Sequence, residues 1–564
     1  MAVCALLCAA PAHAATSPVA AENALPGSAS WGAVRPTTAI EGYGGATSVA
    51  PGETLELHVA ASVPARYRID VYRLGWYRGL GGRRVACLPS CDGDKAAPLA
   101  PPRPVPDPAT GIARAGWPVT DVLVPSPLWV SGYYEARLVV TSGPASGGSY
   151  AIYFVVREPL LRPSAILVQV PVNTWQAYNS WAGKSLYGFS SDGGTAANRV
   201  SFDRPYSTDR AGNQASPLEW EIQVARFLER EGYDVSYQTD VDTDRDPASL
   251  LRHRLVITVG HGEYWTKGER DAFDAARADG TNLAFMGSNT GYWQVRYEDD
   301  RRTIVGYKSA SDPNPDPALK TMLFRALVPP RYECALLGVM HIGGLGQADY
   351  AVTAAGATDP WLQGTGLGAG ATLPNLVGRE YDRVPGPYVP TDCQIPRLTV
   401  LFHHDAPPGQ ADAVRYTAAS GARVFASGSL QFGWGLDDSG NGDHGAAQAD
   451  PRLQQFMRNA LADMTRPEAP LVLGAVGTAS GVRITAGVTA DPRLQRIVIY
   501  RHPGPDAFAP GDAGSTPVCA SGTGRCLDRG VAPGATVRYA ACEVDAWGTS
   551  VATISAPVAR RPRG

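Results

Sequence analysis

The residue types best suited to chemistry sit in two short stretches, Gly260-His261-Gly262-Glu263-Tyr264-Trp265 and Gly287-Ser288-Asn289-Thr290-Gly291. An imidazole two residues from a carboxylate, with a carboxamide on a neighbouring loop, suits general acid–base work or a metal-bound water as nucleophile. Covalent catalysis is disfavoured, because the corresponding turns hold no cysteine and no Gly-x-Ser-x-Gly occurs. The common metal spellings are also missing: no His-Glu-x-x-His, no two-histidine facial array in one segment, no EF-hand loop. Gly260-x-Gly262 is followed by neither a Walker lysine nor a dinucleotide fingerprint. Each group also has a plainer reading. A lone histidine can be a satisfied loop residue, Glu263 can cap the next helix, and Trp181, Trp265 and Trp293 can fill space.

The elements that carry these residues argue for a shared pocket. Residues 254–259 (Arg-Leu-Val-Ile-Thr-Val) predict a buried strand ending at His261 and Glu263, with Thr266 capping a helix over 267–279. The strand 282–286 ends just before Asn289. A third, 165–170, leads to Asn173-Thr-Trp-Gln-Ala-Tyr178-Asn-Ser-Trp181. With a helix over 218–231 and a strand over 233–237, the alternation predicts a doubly wound α/β domain on a mostly parallel sheet, where ligands bind at the carboxyl ends of the strands. Order weakens between about 297 and 397 and returns at 398–402, 421–426 and the helix 451–464. The expected α/β domain spans 163–465.

It is flanked by all-β sequence. Alternating stretches such as 54–60, 67–73, 132–140 and 149–156 predict a β-sandwich over 36–158, and 467–560 reads as a smaller sandwich of the fibronectin type III kind. Residues 1–14 read as a signal peptide, with a short apolar run and Ala12-His13-Ala14, which places the mature protein outside the cell or in the periplasm. The spacing of the remaining cysteines suggests Cys87–Cys91, Cys334–Cys393 and Cys519–Cys526, leaving Cys542 odd. The 564 residues carry 50 basic and 53 acidic side chains, so no basic excess exists to hold nucleic acid or an anionic membrane surface. No later segment is apolar for the length of a membrane span. A homo-oligomer is compatible with these features.

Several motifs, taken in order, resemble the N,N-dimethylformamidase large (beta) subunit-like family, particularly its carboxyl-terminal region: Ile40-Glu-Gly-Tyr-Gly-Gly, Tyr72-Arg-Leu-Gly-Trp-Tyr77, Gln176-Ala-Tyr-Asn-Ser-Trp through Tyr187, Val200-Ser-Phe-Asp-Arg-Pro-Tyr206, Gly260-His-Gly-Glu-Tyr-Trp265 and Gly287-Ser-Asn-Thr-Gly-Tyr-Trp293. The resemblance covers roughly residues 36 to 465. It implies a β-sandwich followed by a glutamine-amidotransferase-like α/β domain, and an amide hydrolase using one iron ion per chain held by two tyrosines and a glutamate. Phenolate and carboxylate are hard anionic donors suited to trivalent iron. Carried over, the resemblance implies Tyr178, Tyr206 and Glu263 as ligands, His261 as acid or base, Asn289 as the amide that orients substrate or stabilises an oxyanion, and Lys308 in the pocket. A further family glutamate aligns nearest to Gln431, which would remove a base or proton relay.

The expected function is therefore an exported, iron-dependent hydrolase of C–N bonds acting on a small amide or another extracellular substrate. One alternative is an exported carbohydrate-binding protein with a degenerate α/β domain, suggested by 12 Trp and 24 Tyr. Another is a glycoside hydrolase with paired carboxylates among Asp203, Glu263, Asp405 and Asp437.

Overall fold

Strand residues that alternate in polarity, and continuous apolar runs with helices between them, become the two kinds of sheet that such patterns demand. The computed structural model describes residues 17–159, 163–208, 216–386, 390–406, 409–439, 449–467, 470, 472–487, 494–545 and 548–562. The expected signal segment, with Cys4 and Cys8, lies outside the described residues. The chain is mostly β-sheet and divides into two compact units, one running to Ala460 and the other containing the chain from Leu461 onward.

In the first unit a three-stranded sheet (Ile40–Gly44, Leu55–Ala61, Asp121–Leu123) and a larger one centred on Arg66–Leu74, Gly132–Ser142 and Ser149–Val156 enclose a core that includes Leu57, Val59, Ile69, Val71, Leu138 and Ile152. The same unit contains a nine-stranded sheet. Five strands run parallel in the order Val235–Thr239, Ile166–Val170, Leu255–Gly260, Asn282–Gly287 and Arg423–Ala426. They are buried along almost their whole length, as apolar runs covered on both faces must be. Helices Ile222–Arg230 and Lys267–Ala278 lie between them in the chain, and Thr266 closes a capping box with Glu269.

The weakly patterned segment contains the largest departure from expectation. Met340–Val352 and Thr372–Arg383 form a long antiparallel ribbon that extends the sheet through Thr399–Ala406 and Gly409–Thr417. Three register shifts interrupt the pairing of the ribbon strands, so no simple alternation survives.

The second unit pairs Leu473–Thr478, Gly481–Ala486 and Arg525–Asp528 in one sheet, with Thr516–Ser521, Arg496–Pro503 and Thr536–Val544 in another, around Val482, Ile484, Ile497, Ile499 and Tyr539. The disulfides Cys87–Cys91, Cys334–Cys393 and Cys519–Cys526 are all present. Cys542, left odd by spacing, is engaged as well. Among the described residues no helix is long and apolar enough to cross a membrane.

Beside the carboxyl ends of two parallel strands, Ile166–Val170 and Val235–Thr239, lies a buried acid pair. Gln169 Nε2 donates to Asp240 Oδ1 at 3.1 Å and to Glu269 Oε1 at 2.7 Å, and the Asn173 amide donates to Asp240 Oδ2 at 2.8 Å. Burial raises the pKa of both carboxyls, and the Asp240 charge raises Glu269 further. The folded pair keeps a proton that the unfolded chain loses near pH 4. The native state thus binds more protons, so stability is complete at acid pH and falls as pH rises toward the native pKa. We expect Asp240→Asn to flatten that fall between pH 5 and 8 by about 1.4 kcal/mol per pH unit, read from denaturant midpoints at several pH values.

Candidate active site

Two glycines set the rim. Gly260 and Gly287 end neighbouring parallel strands in register, and a Cβ on Gly287 would stand 1.9 Å from the Gly260 carbonyl oxygen. Gly287 must lack a side chain for the strand ends to close, and Gly260, at φ 60°, leaves room for Trp220 and Glu221. The loops beyond are pinned together: the Gly291 amide donates to Gly262 O at 2.8 Å, and the Tyr292 and Trp293 amides both donate to Glu263 O at 3.0 Å. Helix Val172–Tyr178 follows strand Ile166–Val170 and fixes the third side, because Thr174 Oγ1 accepts from the Glu263 amide at 3.0 Å.

Glu263 is the centre, 2% exposed. Tyr178 donates to its Oε2 at 2.9 Å and Tyr187 to its Oε1 at 2.6 Å, the two rings lying 4.4 Å apart. Burial, with the Glu263 charge second, holds both phenols well above their ordinary pKa. Lys308 Nζ sits 3.3 Å over the Tyr187 ring and donates to Tyr264 Oη at 3.2 Å, and burial brings its pKa down to about 8.

His261 lies on the other side of the carboxylate, with Nε2 3.3 Å from Glu263 Oε2 and 2.9 Å from Glu380 Oε2. Burial disfavours charge on the ring, but Glu380, with Glu263 and Glu221, outweighs it and lifts the pKa to about 9. Asn289, at φ 53°, donates from Nδ2 to Glu380 Oε2 at 2.7 Å, while its Oδ1 has no hydrogen-bond partner among the described residues. A cavity of about 220 Å³ opens here, lined by His261, Glu380, His341, Trp220 and Leu430 among others. It is smaller than the pockets that hold drug-sized ligands.

The geometry brings together Tyr178, Glu263, His261, Asn289 and Lys308, and leaves out Tyr206. That residue follows strand Arg199–Ser201 and lines a separate small cavity with Tyr43, Trp175 and Arg302, its backbone carbonyl accepting from Tyr150. Both oxygens of Glu263 are already taken, the second by Tyr187. Tyr187 closes the same motif that carries Tyr178, nine residues away, and that proximity was the available signal. Gln431 is not beside His261 either. With its amide oriented to satisfy its surroundings, it donates to Val377 O and Asn375 O and secures the irregular ribbon. The carboxylate that meets His261 is Glu380, on the ribbon strand Thr372–Arg383.

The paired-carboxylate alternative finds no pair. Asp203 binds Arg302, Asp437 binds Arg226, and Asp405 is exposed beside Gln410. Trp181 and Trp265 are 1% exposed and belong to cores rather than to an open sugar platform.

Tyrosine, glutamate and the absence of a histidine array also bear on a metal. Among the described residues no group of three or more His, Cys, Asp or Glu side chains is arranged to hold one. Three hard oxygen donors nevertheless converge at Glu263, held together by two phenol protons that a trivalent cation would displace. Two phenols and a carboxylate are the kind of donor set that hard trivalent cations prefer.

Comparison with known proteins agrees with the motifs. Residues 68–446 match the family described as N,N-dimethylformamidase beta subunit-like, C-terminal. The N,N-dimethylformamidase beta subunit of Alcaligenes sp is 28% identical over 131 residues, 22% of this chain and 17% of that protein. The beta subunit of Paracoccus aminophilus is 27% identical over 89 residues, 16% of this chain and 12% of that protein. The matched segments thus span less than a fifth of either relative. Among solved structures, an Fn3-like protein from Clostridium thermocellum is 19% identical over 17% of this chain and 92% of its own, with a TM-score of 0.13. The chicken CNTN1 FN1-FN3 domains are 8% identical over 39% of this chain and 60% of theirs, with a TM-score of 0.15. The match across most of the chain, with the ordered motifs and the Tyr-Tyr-Glu cluster they converge on, shows that this chain belongs to the N,N-dimethylformamidase beta subunit-like, C-terminal family.

Proposed function

We propose that the protein is an exported iron-dependent hydrolase of small amides, with the ion held by Tyr178, Tyr187 and Glu263. The observation that carries this reading is the capture of both Glu263 oxygens by buried phenols, next to a histidine–glutamate pair and a small cavity. When bound, the iron supplies Lewis acidity toward the amide carbonyl and toward water.

The chain's own residues supply the rest. Once its ring has lost the proton that Glu380 stabilises, His261 accepts one from water entering the cavity, the carboxylate balancing the charge that the ring takes up. Asn289 donates through Nδ2 to Glu380 and so holds that carboxylate beside His261. Lys308 places a cation over Tyr187 and favours the phenolate form there. The 220 Å³ cavity restricts the acyl and amine substituents to a few heavy atoms each.

Two further parts of the reading have structural support. Five parallel strands with the cluster at their carboxyl ends favour a glutamine-amidotransferase-like arrangement of the α/β layer. Three disulfides favour an oxidising compartment.

Elemental analysis tests the proposal. The purified protein should carry close to one iron per chain, with a visible tyrosinate-to-iron absorption band. Glu263→Gln should lose both, together with hydrolysis of N,N-dimethylformamide or a similar small amide. A wild-type protein that binds no iron on reconstitution, or that binds it and turns over no amide, would refute the assignment.

A further inference from the structure

A second histidine faces the cavity and has no part in the scheme above. His341 lies on strand Met340–Val352, at a register shift opposite Asp382, and lines the cavity together with His261 and Glu380. Its Nδ1 is buried and stands 3.5 Å from Asp382 Oδ1, within ion-pair range. Asp382 is itself 1% exposed and is held in place by the Asn289 amide, which donates to the same Oδ1 at 2.9 Å. The ring's other wall is Tyr292, edge-on at 5.2 Å, and Arg325 donates to the His341 carbonyl at 3.0 Å. With Nδ1 turned inward to a carboxylate, the opposite Nε2 edge is left for the cavity.

We propose that His341, oriented by Asp382, is the general acid that protonates the leaving amine. This rests on the amide-hydrolase reading and adds a second proton-transfer group to it. Water adds its oxygen to the carbonyl carbon and yields one proton to the His261–Glu380 pair. The C–N bond then breaks, its electron pair stays on nitrogen, and nitrogen takes a proton from His341 Nε2. Carboxylic acid and amine leave, the His261–Glu380 pair releases to solvent the proton it took from water, and His341 regains its own from solvent at the cavity mouth. Asp382 holds Nδ1 protonated, so that Nε2 is the nitrogen that exchanges.

The groups that bear on the ring fit this role. Burial opposes its charge, but Asp382 first, then Glu380 and Glu263, favour the protonated form. The ring is also separate from the Tyr178–Tyr187–Glu263 cluster, so its removal leaves those three oxygens in place.

The test compares N-ethylformamide with N-(2,2,2-trifluoroethyl)formamide, amides of nearly one shape whose leaving amines differ widely in basicity. His341→Gln should lose about 100-fold in kcat/KM on the ethyl amide, within the usual range for one acid–base group, and clearly less on the trifluoroethyl amide. Asp382→Asn should show a smaller loss with the same dependence on the leaving amine. Both variants should keep wild-type iron content and melting temperature. Equal losses on the two amides, or no loss, would overturn the assignment of His341 while leaving the hydrolase reading intact. A wild-type enzyme inert toward both amides would overturn the two together. Imidazole ¹⁵N spectra give a readout without turnover: the His341 signals, identified by their absence in His341→Gln, should report Nδ1 protonation that Asp382→Asn removes, and an unchanged tautomer in that variant would count against the Asp382–His341 pair.

Discussion

Tyr187→Phe should lose iron and its visible band, whereas Tyr206→Phe should keep both. The expectation follows from which oxygen of Glu263 each phenol can reach. Tyr187 donates to Oε1 at 2.6 Å and Tyr178 to Oε2 at 2.9 Å, so removing either hydroxyl leaves a buried carboxylate with one phenolic neighbour and one donor position open. A site reduced from three anionic oxygens to two should bind at least tenfold more weakly, as the loss of supporting groups around a metal commonly costs 10–100-fold in affinity. Tyr206 faces Tyr43, Trp175 and Arg302 across a different cavity, and its loss should cost packing alone. Iron per chain, measured after dialysis at fixed total iron, separates the outcomes. Retention of iron in Tyr187→Phe with loss in Tyr206→Phe would restore Tyr206 as the ligand and show that the cluster rearranges on binding.

The two tyrosines also show how far the chain could be read without coordinates. Helix Lys267–Ala278 was legible because Thr266 and Glu269 carry a local capping signal, and the parallel strands were legible because burial on both faces requires continuous apolar runs. His261, Glu263 and Asn289 were legible as a group because each follows such a strand, and strand ends in a parallel sheet share one rim. Tyr187 and Glu380 depend on different information. Tyr187 is presented by an irregular loop of single turns, where no periodicity says which side chain turns inward. Glu380 sits in a bulged strand next to Arg379 at φ 61°, and a bulge reverses the face that simple alternation would assign. The same bulges hid the ribbon that brings Glu380 to His261.

The motif Tyr72-Arg-Leu-Gly-Trp-Tyr77 shows that a recognisable motif need not touch the chemistry. Arg73 is fully buried and clamps Glu229 with both nitrogens, Nη2 to Oε1 at 2.8 Å and Nη1 to Oε2 at 2.9 Å. Asn23 Nδ2 and the Tyr237 hydroxyl complete the carboxylate's shell at 2.7 and 2.9 Å. Gly75 is required by the same contact, since a Cβ there would meet Glu229 Oε2 at 2.2 Å. The pair joins a sandwich strand to helix Ile222–Arg230 and thereby to the α/β layer. Burial opposes charge on Arg73, but Glu229 outweighs it and keeps the guanidinium pKa above its ordinary value. Arg73→Met should destabilise the fold by about 3–5 kcal/mol, because it strands a carboxylate in a site built for a cation. Adding Glu229→Leu should recover a large part of that loss, since removing both charges also removes the penalty of leaving one unpaired. Denaturant titrations of the wild type, both single variants and the double variant measure the coupling. Additive losses would mean that the two side chains act through packing, and that the ion pair does not hold the sandwich to the sheet.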